Sequence, residues 1–330
     1  MSRIGIIGAG AWGTALAMTA QRAGNEVIIQ AHEPSVAKAI NDTHENSVFL
    51  KEIKLDKRIK ATTDLSLATN VDAVLLVTPA QFLRPVCEAA ADNWPPGVPA
   101  IICSKGIEET SCALMSEVVS EILPSSPIAV LSGPAFAREV ANNLPAAVTL
   151  ASEDETLAKI LMETLNTPVF RIYRSLDMIG AQIGGAVKNV LAIACGIIEG
   201  RKLGNNAKSA LITRGLAEIT RLGIAKGAQA GTFYGLSGLG DLTLTCNAMQ
   251  SRNFSLGVAL GQGEKLRDVL NERISIAEGV YTASTMISLA RQLNVDLPIC
   301  SAVDGVLNYS DDIDASINAL LIRPLKAETA

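Results

Sequence analysis

The chain has 330 residues, of which 48% are hydrophobic and 18% are charged, and its formal net charge is −5. This length and hydrophobic content predict two domains with substantial cores. The negative charge argues against nucleic acid or an anionic membrane surface as the main partner. Six cysteines without C-x-x-C spacing predict reduced, buried thiols of a cytoplasmic protein, rather than a disulfide framework or a zinc or other metal site.

An apolar run at the start of the chain leads directly into a turn of the form G-x-G-x-x-G. Gly8 permits a tight turn, Gly10 lets the backbone approach a pyrophosphate, and Gly13 lets the following helix pack closely on the strand. Residues 14–23 have helical composition and end at Gly24, so the free N–H groups of a helix N-terminus would hold the anion. The sequence therefore predicts a dinucleotide-binding site.

The same stretch has a competing interpretation, because residues 4–21 carry no charge and a secretory signal peptide also begins with an apolar run. Four glycines interrupt this run and Arg3 alone precedes it as a basic residue, which fits a signal peptide poorly. The run is also too rich in glycine for a bilayer span. We expect no membrane insertion.

Short β-rich runs alternate with helical stretches up to about residue 151, which predicts a parallel sheet wrapped by helices. The residues after three runs suit a ligand crevice, since ligands lie at the carboxyl ends of strands in open α/β sheets. These residues are Thr78–Pro79, Ser104–Gly106 and Ser132–Pro134. The predicted strands after the first are Glu26–Ala31, Asp72–Val77, Ala100–Ser104, Ile128–Ser132 and Ala146–Ala151.

From about Asp177 the pattern changes to long helical periodicity rich in Ala, Leu, Ile and Gly, with no further convincing strand. We therefore expect an α/β fold with two domains. A Rossmann-type doubly wound domain would occupy residues 1–180, and an all-α substrate-binding and catalytic domain would occupy residues 181–330.

The cofactor would be a nicotinamide dinucleotide. Glu33 lies twenty residues beyond Gly13, where an acidic side chain commonly accepts the ribose 2′-hydroxyl, and this favours NAD. His32 precedes it and, when protonated, would meet a 2′-phosphate. The alternative is that His32 and Glu33 are solvated loop residues that do not contact the cofactor. The choice between NADH and NADPH stays open.

The sequence indicates an acid/base residue where a single charged residue lies in a long apolar segment. Both histidines, His32 and His44, lie in the cofactor half, so a His–Asp pair from the second domain is nearly excluded. Lys188 is the sole charge from Met178 to Ile198. In such an apolar helix, desolvation would lower the pKa of its ammonium towards the range useful for proton transfer. The alternative is a structural lysine that reaches the surface with its stem packed on the core.

A second isolated charge occurs further along the chain. Asp241 is the only charge between Lys226 and Arg252, within a glycine-rich turn. Two isolated opposite charges would naturally meet, so we expect Asp241 to orient Lys188. The alternative is that Asp241 only caps a helix.

Two further features indicate a phosphorylated substrate. Ser251, Arg252 and Asn253 begin a probable helix, and an arginine with hydroxyl and amide donors at a helix N-terminus is typical of phosphate binding. Lys105 follows a predicted strand and would add a second cation, although a solvated surface lysine is the alternative. Together these residues predict a small phosphorylated alcohol or ketone beside a nicotinamide.

Five motifs occur in order along the chain: GAGAWGTALA at 8–17, ICSKGIE at 102–108, LSGPAFAREV at 131–140, GAVKNVLAIACGIIEG at 185–200, and GLAEITRLGIAKGA with TFYGLSGLGDLTLTCNAMQSRN between 215 and 253. Through these motifs the chain resembles bacterial NAD(P)-dependent glycerol-3-phosphate dehydrogenase along essentially its whole length. The resemblance implies reversible reduction of dihydroxyacetone phosphate to sn-glycerol 3-phosphate with NAD(P)H, as the entry to glycerophospholipid synthesis. It also implies a cytoplasmic enzyme that forms a homodimer.

The resemblance also implies roles for individual residues, with Lys188 as the proton donor and acceptor. Besides Lys188, the implied substrate contacts are Lys105, Gly133, Ala135, Asn189, Asp241, Thr245, Ser251, Arg252 and Asn253. The implied cofactor contacts are Gly8, Gly10, Ala11, Trp12, Gly13, His32, Glu33, Lys105, Ala137, Arg252, Ile276 and Glu278.

Two positions depart from the family pattern. Ala135 stands where relatives commonly have a hydroxyl residue, which puts one substrate hydrogen bond in doubt. Glu33 stands where relatives with a strong NADP preference often show basic character.

Two other functions compete with this one. β-Hydroxyacid dehydrogenases combine the same fold with a helical lysine, but they resemble K-x-x-x-N, whereas here Ala192 is the fourth residue after Lys188 and the asparagine is the adjacent Asn189. A non-catalytic nucleotide-sensing or interaction protein is the alternative from another class. The presence of Lys188, Asp241 and Arg252 together argues against it.

Overall fold

The computed structural model describes residues 1–271, 278–324 and 327. An eight-stranded sheet with helices comes first in the chain, and a helical part follows it. The strands are β1 (Arg3–Ile7), β2 (Glu26–Gln30), β3 (Glu45–Asn46), β4 (Leu50–Lys54), β5 (Lys60–Thr62), β6 (Ala73–Leu76), β7 (Ala100–Ile102), β8 (Ile128–Ser132), β9 (Ala146–Ala151) and β10 (Phe170–Ser175). The α-helices are α1 (Ala11–Arg22), α2 (Pro34–Thr43), α3 (Leu65–Thr69), α4 (Leu83–Ala91), α5 (Met115–Ile122), α6 (Ala137–Ala141), α7 (Glu155–Leu165), α8 (Met178–Gly200), α9 (Gly204–Lys226), α10 (Asp241–Cys246), α11 (Arg252–Gly261), α12 (Leu266–Asn271), α13 (Glu278–Gln292), α14 (Pro298–Asn308) and α15 (Ile313–Leu321).

The sheet has the strand order β10-β9-β8-β7-β6-β1-β2-β5, while β3 and β4 form a separate hairpin. The chain runs outward from β1 to β2 and β5, then returns to β6 on the other side of β1. The carboxyl ends of β1 and β6 therefore flank the crevice at which an open α/β sheet binds its ligand. This arrangement confirms the predicted α/β fold class.

Successive side chains of the central strands pack into two different cores. Ile4 and Ile6 of β1 belong to the core on one face, and Ile7 belongs to the core on the other. Because neighbouring residues of a strand point to opposite faces, this alternation requires both faces to be covered by helices. The first residues therefore form a buried central strand, and the signal-peptide interpretation is wrong.

Every predicted strand is present within two residues of its predicted bounds, but one pairing departs from the expected parallel sheet. β9 runs antiparallel to β8, because after Ser132 the chain folds back through the short α6 rather than crossing over the sheet. β5, the β3–β4 hairpin and the edge strand β10 were not predicted. β10 alternates buried and exposed residues, as expected for a strand with one solvated face.

Helix α8 is the centre of the helical part. Its sequence is apolar on all sides, and every residue from Gly180 to Ile198 is buried. Asp177 begins the helix by accepting a hydrogen bond from the Gly180 N–H at 2.8 Å. Within the described residues, α8 is the one helix long and apolar enough to cross a membrane, and the most apolar window of α8 lies wholly inside the protein.

The two parts of the chain meet along α8. Ala181 packs in the core of the sheet part, and Ile183 packs in the core of the helical part. The last described strand ends at Ser175. The predicted boundary near residue 180 stays a prediction.

Helix α11 lies very close to α8. A Cβ on Gly257 would lie 2.1 Å from the carbonyl oxygen of Ile193, so only glycine allows this approach. The contact aligns the two helices so that Asn253 Nδ2, at the start of α11, donates to Asn189 Oδ1 of α8 at 3.0 Å. The beginning of α11 is thereby placed beside Lys188.

Candidate active site

The glycine-rich turn joins β1 to α1 and fits a dinucleotide. Gly8 has a φ of +111°, and a Cβ on Gly13 would lie 1.9 Å from the Gly8 carbonyl oxygen, so both positions require glycine. A Cβ on Gly10 would meet no heavy atom of the described residues within 4 Å. No side chain of the described residues caps the N-terminus of α1. Because helix N-terminal N–H groups attract anions, this open turn suits a pyrophosphate.

Two further features of this edge of the sheet suit a dinucleotide. Trp12 Nε1 and Thr78 Oγ1 are buried without a hydrogen-bond partner among the described residues, and they follow β1 and β6, the two strands at the crevice. His32 and Glu33 lie exposed at the carboxyl end of β2, with Glu33 at the N-cap of α2. Their contact with the ribose end of the cofactor stays a prediction.

The isolated charges meet in the helical part. Lys188 Nζ donates to Asp241 Oδ1 and, at 3.0 Å, to Thr245 Oγ1. Lys105 Nζ donates to Asp241 Oδ2 at 2.6 Å and to the Gly133 carbonyl oxygen at 3.1 Å. One carboxylate thus binds two ammonium groups, one from each part of the chain.

This geometry rules out three alternative interpretations. The side chain of Lys188 is 9% exposed and bonded to Asp241, so it does not extend to the surface. The cap of α10 is Gly240, and Asp241 uses its carboxylate for the lysines instead. The side chain of Lys105 is 19% exposed and paired, so it is not a solvated surface lysine. The predicted Lys188–Asp241 contact is confirmed.

Burial and charge act in opposite directions on these groups. Burial, the largest effect, and repulsion by Lys105 outweigh the attraction of Asp241, and together these effects lower the pKa of Lys188 to about 8. Burial would raise the pKa of Asp241, but the attraction of the two ammonium groups outweighs it, and the pKa lies below its usual value. At neutral pH the site therefore holds a carboxylate and a lysine that can release its proton.

The start of α11 carries the residues predicted to bind phosphate. Ser251 is the N-cap, and its Oγ accepts the Phe254 N–H at 3.2 Å. Arg252 is exposed in the first turn, and Asn253 is buried, with its Oδ1 accepting the Gly279 N–H at 3.0 Å. Arg252, Lys105 and Lys188 all act electrostatically on Glu278, so the start of α11 lies in the same region as Lys188.

The residues after β8 complete that side of the crevice. Gly133 has a φ of +148°, and its carbonyl oxygen is the one bound by Lys105. Ala135 and Ala137 are partly buried against the core of the sheet part. Ala135 carries no hydroxyl, so its side chain offers no donor for the hydrogen bond that the sequence put in doubt.

Helix α13 contributes a further acidic residue. Burial raises the pKa of Glu278, and the nearby Arg252 opposes this shift. Glu278 and Thr282 line a small cleft with the turn 79–82, which follows β6. Glu278 therefore lies at the junction between the two parts of the chain, as its predicted cofactor contact requires. Ile276, the neighbouring predicted contact, lies outside the described residues.

Of the turn 79–82, the sequence predicted only Pro79 at the ligand crevice. Gln81 Nε2 donates to the Ile107 carbonyl oxygen at 2.8 Å, and Gln81 Oε1 accepts the Glu109 N–H at 2.9 Å. These bonds hold the segment that follows Lys105. Thr78–Pro79 after a strand was the available signal, but it did not show which loop this turn would contact.

Two family models match the chain. The NAD-dependent glycerol-3-phosphate dehydrogenase N-terminus matches residues 3–158, and the C-terminus of the same family matches residues 177–318. The chain belongs to this family.

Individual relatives agree with the family models over nearly the whole chain. A glycerol-3-phosphate dehydrogenase (NAD(P)+) of Rhodospirillum rubrum is 57% identical over 99% of this chain and 94% of its own length. One from Caulobacter vibrioides is 55% identical over 99% and 98%. The crystal structure of glycerol-3-phosphate dehydrogenase from Coxiella burnetii is 37% identical, with a TM-score of 0.94 over 98% of this chain and 99% of that one. Membership of the glycerol-3-phosphate dehydrogenase family excludes the β-hydroxyacid dehydrogenase alternative.

Proposed function

We infer that the protein catalyses the reversible reduction of dihydroxyacetone phosphate to sn-glycerol 3-phosphate with NAD(P)H, as its family membership indicates. The observation that carries the mechanism is the buried Lys188 ammonium, whose pKa is lowered to about 8 and which Asp241 holds in place. A general acid works best when its pKa lies near the working pH. Lys188 is therefore suited to exchange a proton with the substrate oxygen.

A dinucleotide held at the glycine-rich turn of Gly8, Gly10 and Gly13 would supply the hydride that reduces the central carbonyl carbon of the substrate. As the C=O electron pair moves onto oxygen, Lys188 Nζ donates its proton there, and the oxygen becomes the hydroxyl of the product. Lys105, bonded to the other oxygen of Asp241 at 2.6 Å, keeps a second positive charge beside the developing negative charge. In the oxidation direction, neutral Lys188 accepts the hydroxyl proton.

Phosphate binding would fix the substrate for this step. Arg252 and the N-terminus of α11 supply positive charge, and the Asn189–Asn253 hydrogen bond ties that helix to the turn of α8 that carries Lys188. Holding the phosphate on α11 therefore positions the carbonyl group relative to Lys188.

The assay that tests this function follows the absorbance of NADH and of NADPH with the purified protein. Dihydroxyacetone phosphate should be reduced, and sn-glycerol 3-phosphate should be oxidised in the reverse assay, whereas 3-hydroxy acids should give no rate. Initial rates with the two reduced nucleotides also give the cofactor preference. Failure to oxidise either nucleotide with dihydroxyacetone phosphate would contradict the function.

Replacing Arg252 by Ala should weaken substrate binding more than it slows chemistry. We expect the KM for dihydroxyacetone phosphate to rise roughly 10- to 100-fold, because a charge-assisted contact to the phosphate is lost at a partly solvated site. Steady-state kinetics with dihydroxyacetone, which has no phosphate, provide the control, since at saturating nucleotide Arg252→Ala should leave the kcat/KM for dihydroxyacetone nearly unchanged. An unchanged KM for the phosphorylated ketone would refute the assignment.

We also propose that the enzyme is a cytoplasmic homodimer without membrane insertion, with domains at residues 1–180 and 181–330. The burial of α8 inside the protein supports the absence of a membrane span. In helix α15, Ile313, Ile317 and Leu320 pack against the helical core but are only partly buried, and Leu321 is 77% exposed. These partly exposed apolar side chains suit contact with a second copy.

A further inference from the structure

We propose that Asn46 is a positioning residue for the dinucleotide, because it fixes two peptide planes of the glycine-rich turn. Asn46 ends β3, in the hairpin between α2 and β5, and lies 32 residues beyond Thr14 in sequence. Its side chain is fully buried. This inference rests on the dinucleotide site and assigns a role to a residue outside the glycine motif.

The Asn46 amide contacts both sides of the turn. Its Nδ2 donates to the Ala9 carbonyl oxygen at 2.8 Å and to Thr14 Oγ1 at 2.8 Å. Its Oδ1 accepts the Phe49 N–H at 3.1 Å, which closes the hairpin. Both amide protons and the carbonyl oxygen are therefore in use, and the hairpin is bonded to the turn.

The first contact sets the direction of one N–H group. The peptide between Ala9 and Gly10 is trans, so its C=O and N–H point in opposite directions. Since Asn46 holds the Ala9 carbonyl oxygen, the Gly10 N–H points away from the hairpin. Gly10 is the glycine at which the backbone is open to a ligand.

The second contact acts on the next peptide. Thr14 Oγ1 donates its proton to the Gly10 carbonyl oxygen at 2.8 Å, and the Thr14 N–H bonds to the same oxygen at 3.0 Å. By donating to Thr14 Oγ1, Asn46 orients this hydroxyl towards Gly10. The Gly10–Ala11 peptide is fixed in consequence, and with it the direction of the Ala11 N–H.

These two N–H groups lie at the N-terminus of α1, where a pyrophosphate would accept hydrogen bonds from the backbone. Without Asn46 the Ala9 carbonyl oxygen would be buried without this donor, and the peptide would rotate to find another partner. The predicted consequence is a loss of nucleotide affinity that leaves the substrate site intact.

The test replaces Asn46 by Leu, which keeps the shape and removes every hydrogen bond without adding charge. Asn25→Leu is a matched control: Asn25 Nδ2 also donates to two carbonyl oxygens, of Ala20 and Thr164, and its Oδ1 accepts the Ser2 N–H, but it lies at the other end of α1. Both variants should lower the thermal midpoint measured without nucleotide.

Equilibrium titration separates the two variants. The Kd for NADH and NADPH should rise about tenfold or more in Asn46→Leu and stay within about twofold of wild type in Asn25→Leu. At saturating nucleotide, kcat and the KM for dihydroxyacetone phosphate should remain near wild type in both. Wild-type affinity in Asn46→Leu, or an equal loss in Asn25→Leu, would overturn the proposal.

A second pair of variants tests the same arrangement if Asn46→Leu does not fold. Thr14→Val removes the hydroxyl between Asn46 and Gly10, and Thr19→Val removes the matching bond to the Ala15 carbonyl oxygen one turn further along α1. Nucleotide affinity should fall in Thr14→Val alone, and equal affinities would overturn the proposal. Wild-type protein that bound neither nucleotide would instead contradict the proposed function.

Discussion

Replacing Lys188 by Ala should lower the turnover rate of dihydroxyacetone phosphate reduction by about two to four powers of ten, as expected for the loss of a general acid. The variant should still fold, because Asp241 keeps its ion pair with Lys105 at 2.6 Å. Nucleotide affinity should change little, since the glycine-rich turn belongs to the other part of the chain. Steady-state kinetics and nucleotide titration check the two expectations separately.

Lys226→Met provides the matched control for that variant. Lys226 ends α9 and is also paired, with its Nζ 2.7 Å from Glu117 Oε1, but it lies outside the proposed site. The turnover rate of Lys226→Met should equal that of wild type. Near-normal turnover in Lys188→Ala would exclude the proposed role of Lys188.

Replacing Asp241 by Asn should make the reduction strongly dependent on pH. Burial of Lys188 and repulsion by Lys105 would remain, whereas the attraction that partly offsets them would be lost. The pKa of Lys188 should therefore fall below about 8, and the lysine would be mostly neutral where the wild-type lysine is still protonated. We expect turnover roughly 10- to 100-fold below wild type at mildly alkaline pH, with partial recovery as the pH is lowered.

The same substitution should also reduce stability, because two buried ammonium groups would lose their shared counter-charge. Removing one partner of a buried pair costs about 3–5 kcal/mol of unfolding free energy. Asp177→Asn separates the two effects: Asp177 is buried, but its carboxylate accepts from the uncharged donors of Gly180, Gln229 and Thr232. It should lower the unfolding free energy and leave the pH dependence of turnover as in wild type. A pH dependence in Asp241→Asn identical to that of wild type would refute the proposed pairing.

Much of the site was predictable because charge is rare in its surroundings. Lys188 and Asp241 are single charges in long apolar segments, and a buried charge requires a partner, so their contact followed from the sequence. The bond from Lys105 to Asp241 did not, because 136 residues separate them and the contact depends on how the two parts of the chain pack together.

The features of the sheet that were not predicted have either a weak sequence pattern or a pattern that does not depend on strand direction. β3 has two residues and no measurable periodicity, so nothing in the sequence placed Asn46 against the glycine-rich turn. β10 does alternate apolar and polar residues, and this period-two pattern was the available signal. The antiparallel direction of β9 was not predictable, because alternation and composition are the same for either direction of a strand.

The pH dependence of kcat/KM for dihydroxyacetone phosphate reduction, compared between wild type and Lys188→Ala, tests the proton-transfer role of Lys188 most directly. Reduction needs the ammonium form, so the wild-type value should be level near neutrality and should fall about tenfold per pH unit above the pKa. That pKa is lowered to about 8, and Lys188→Ala should lack the break at that pH. A break near pH 8 that persists in Lys188→Ala would assign the proton to another group and contradict the mechanism.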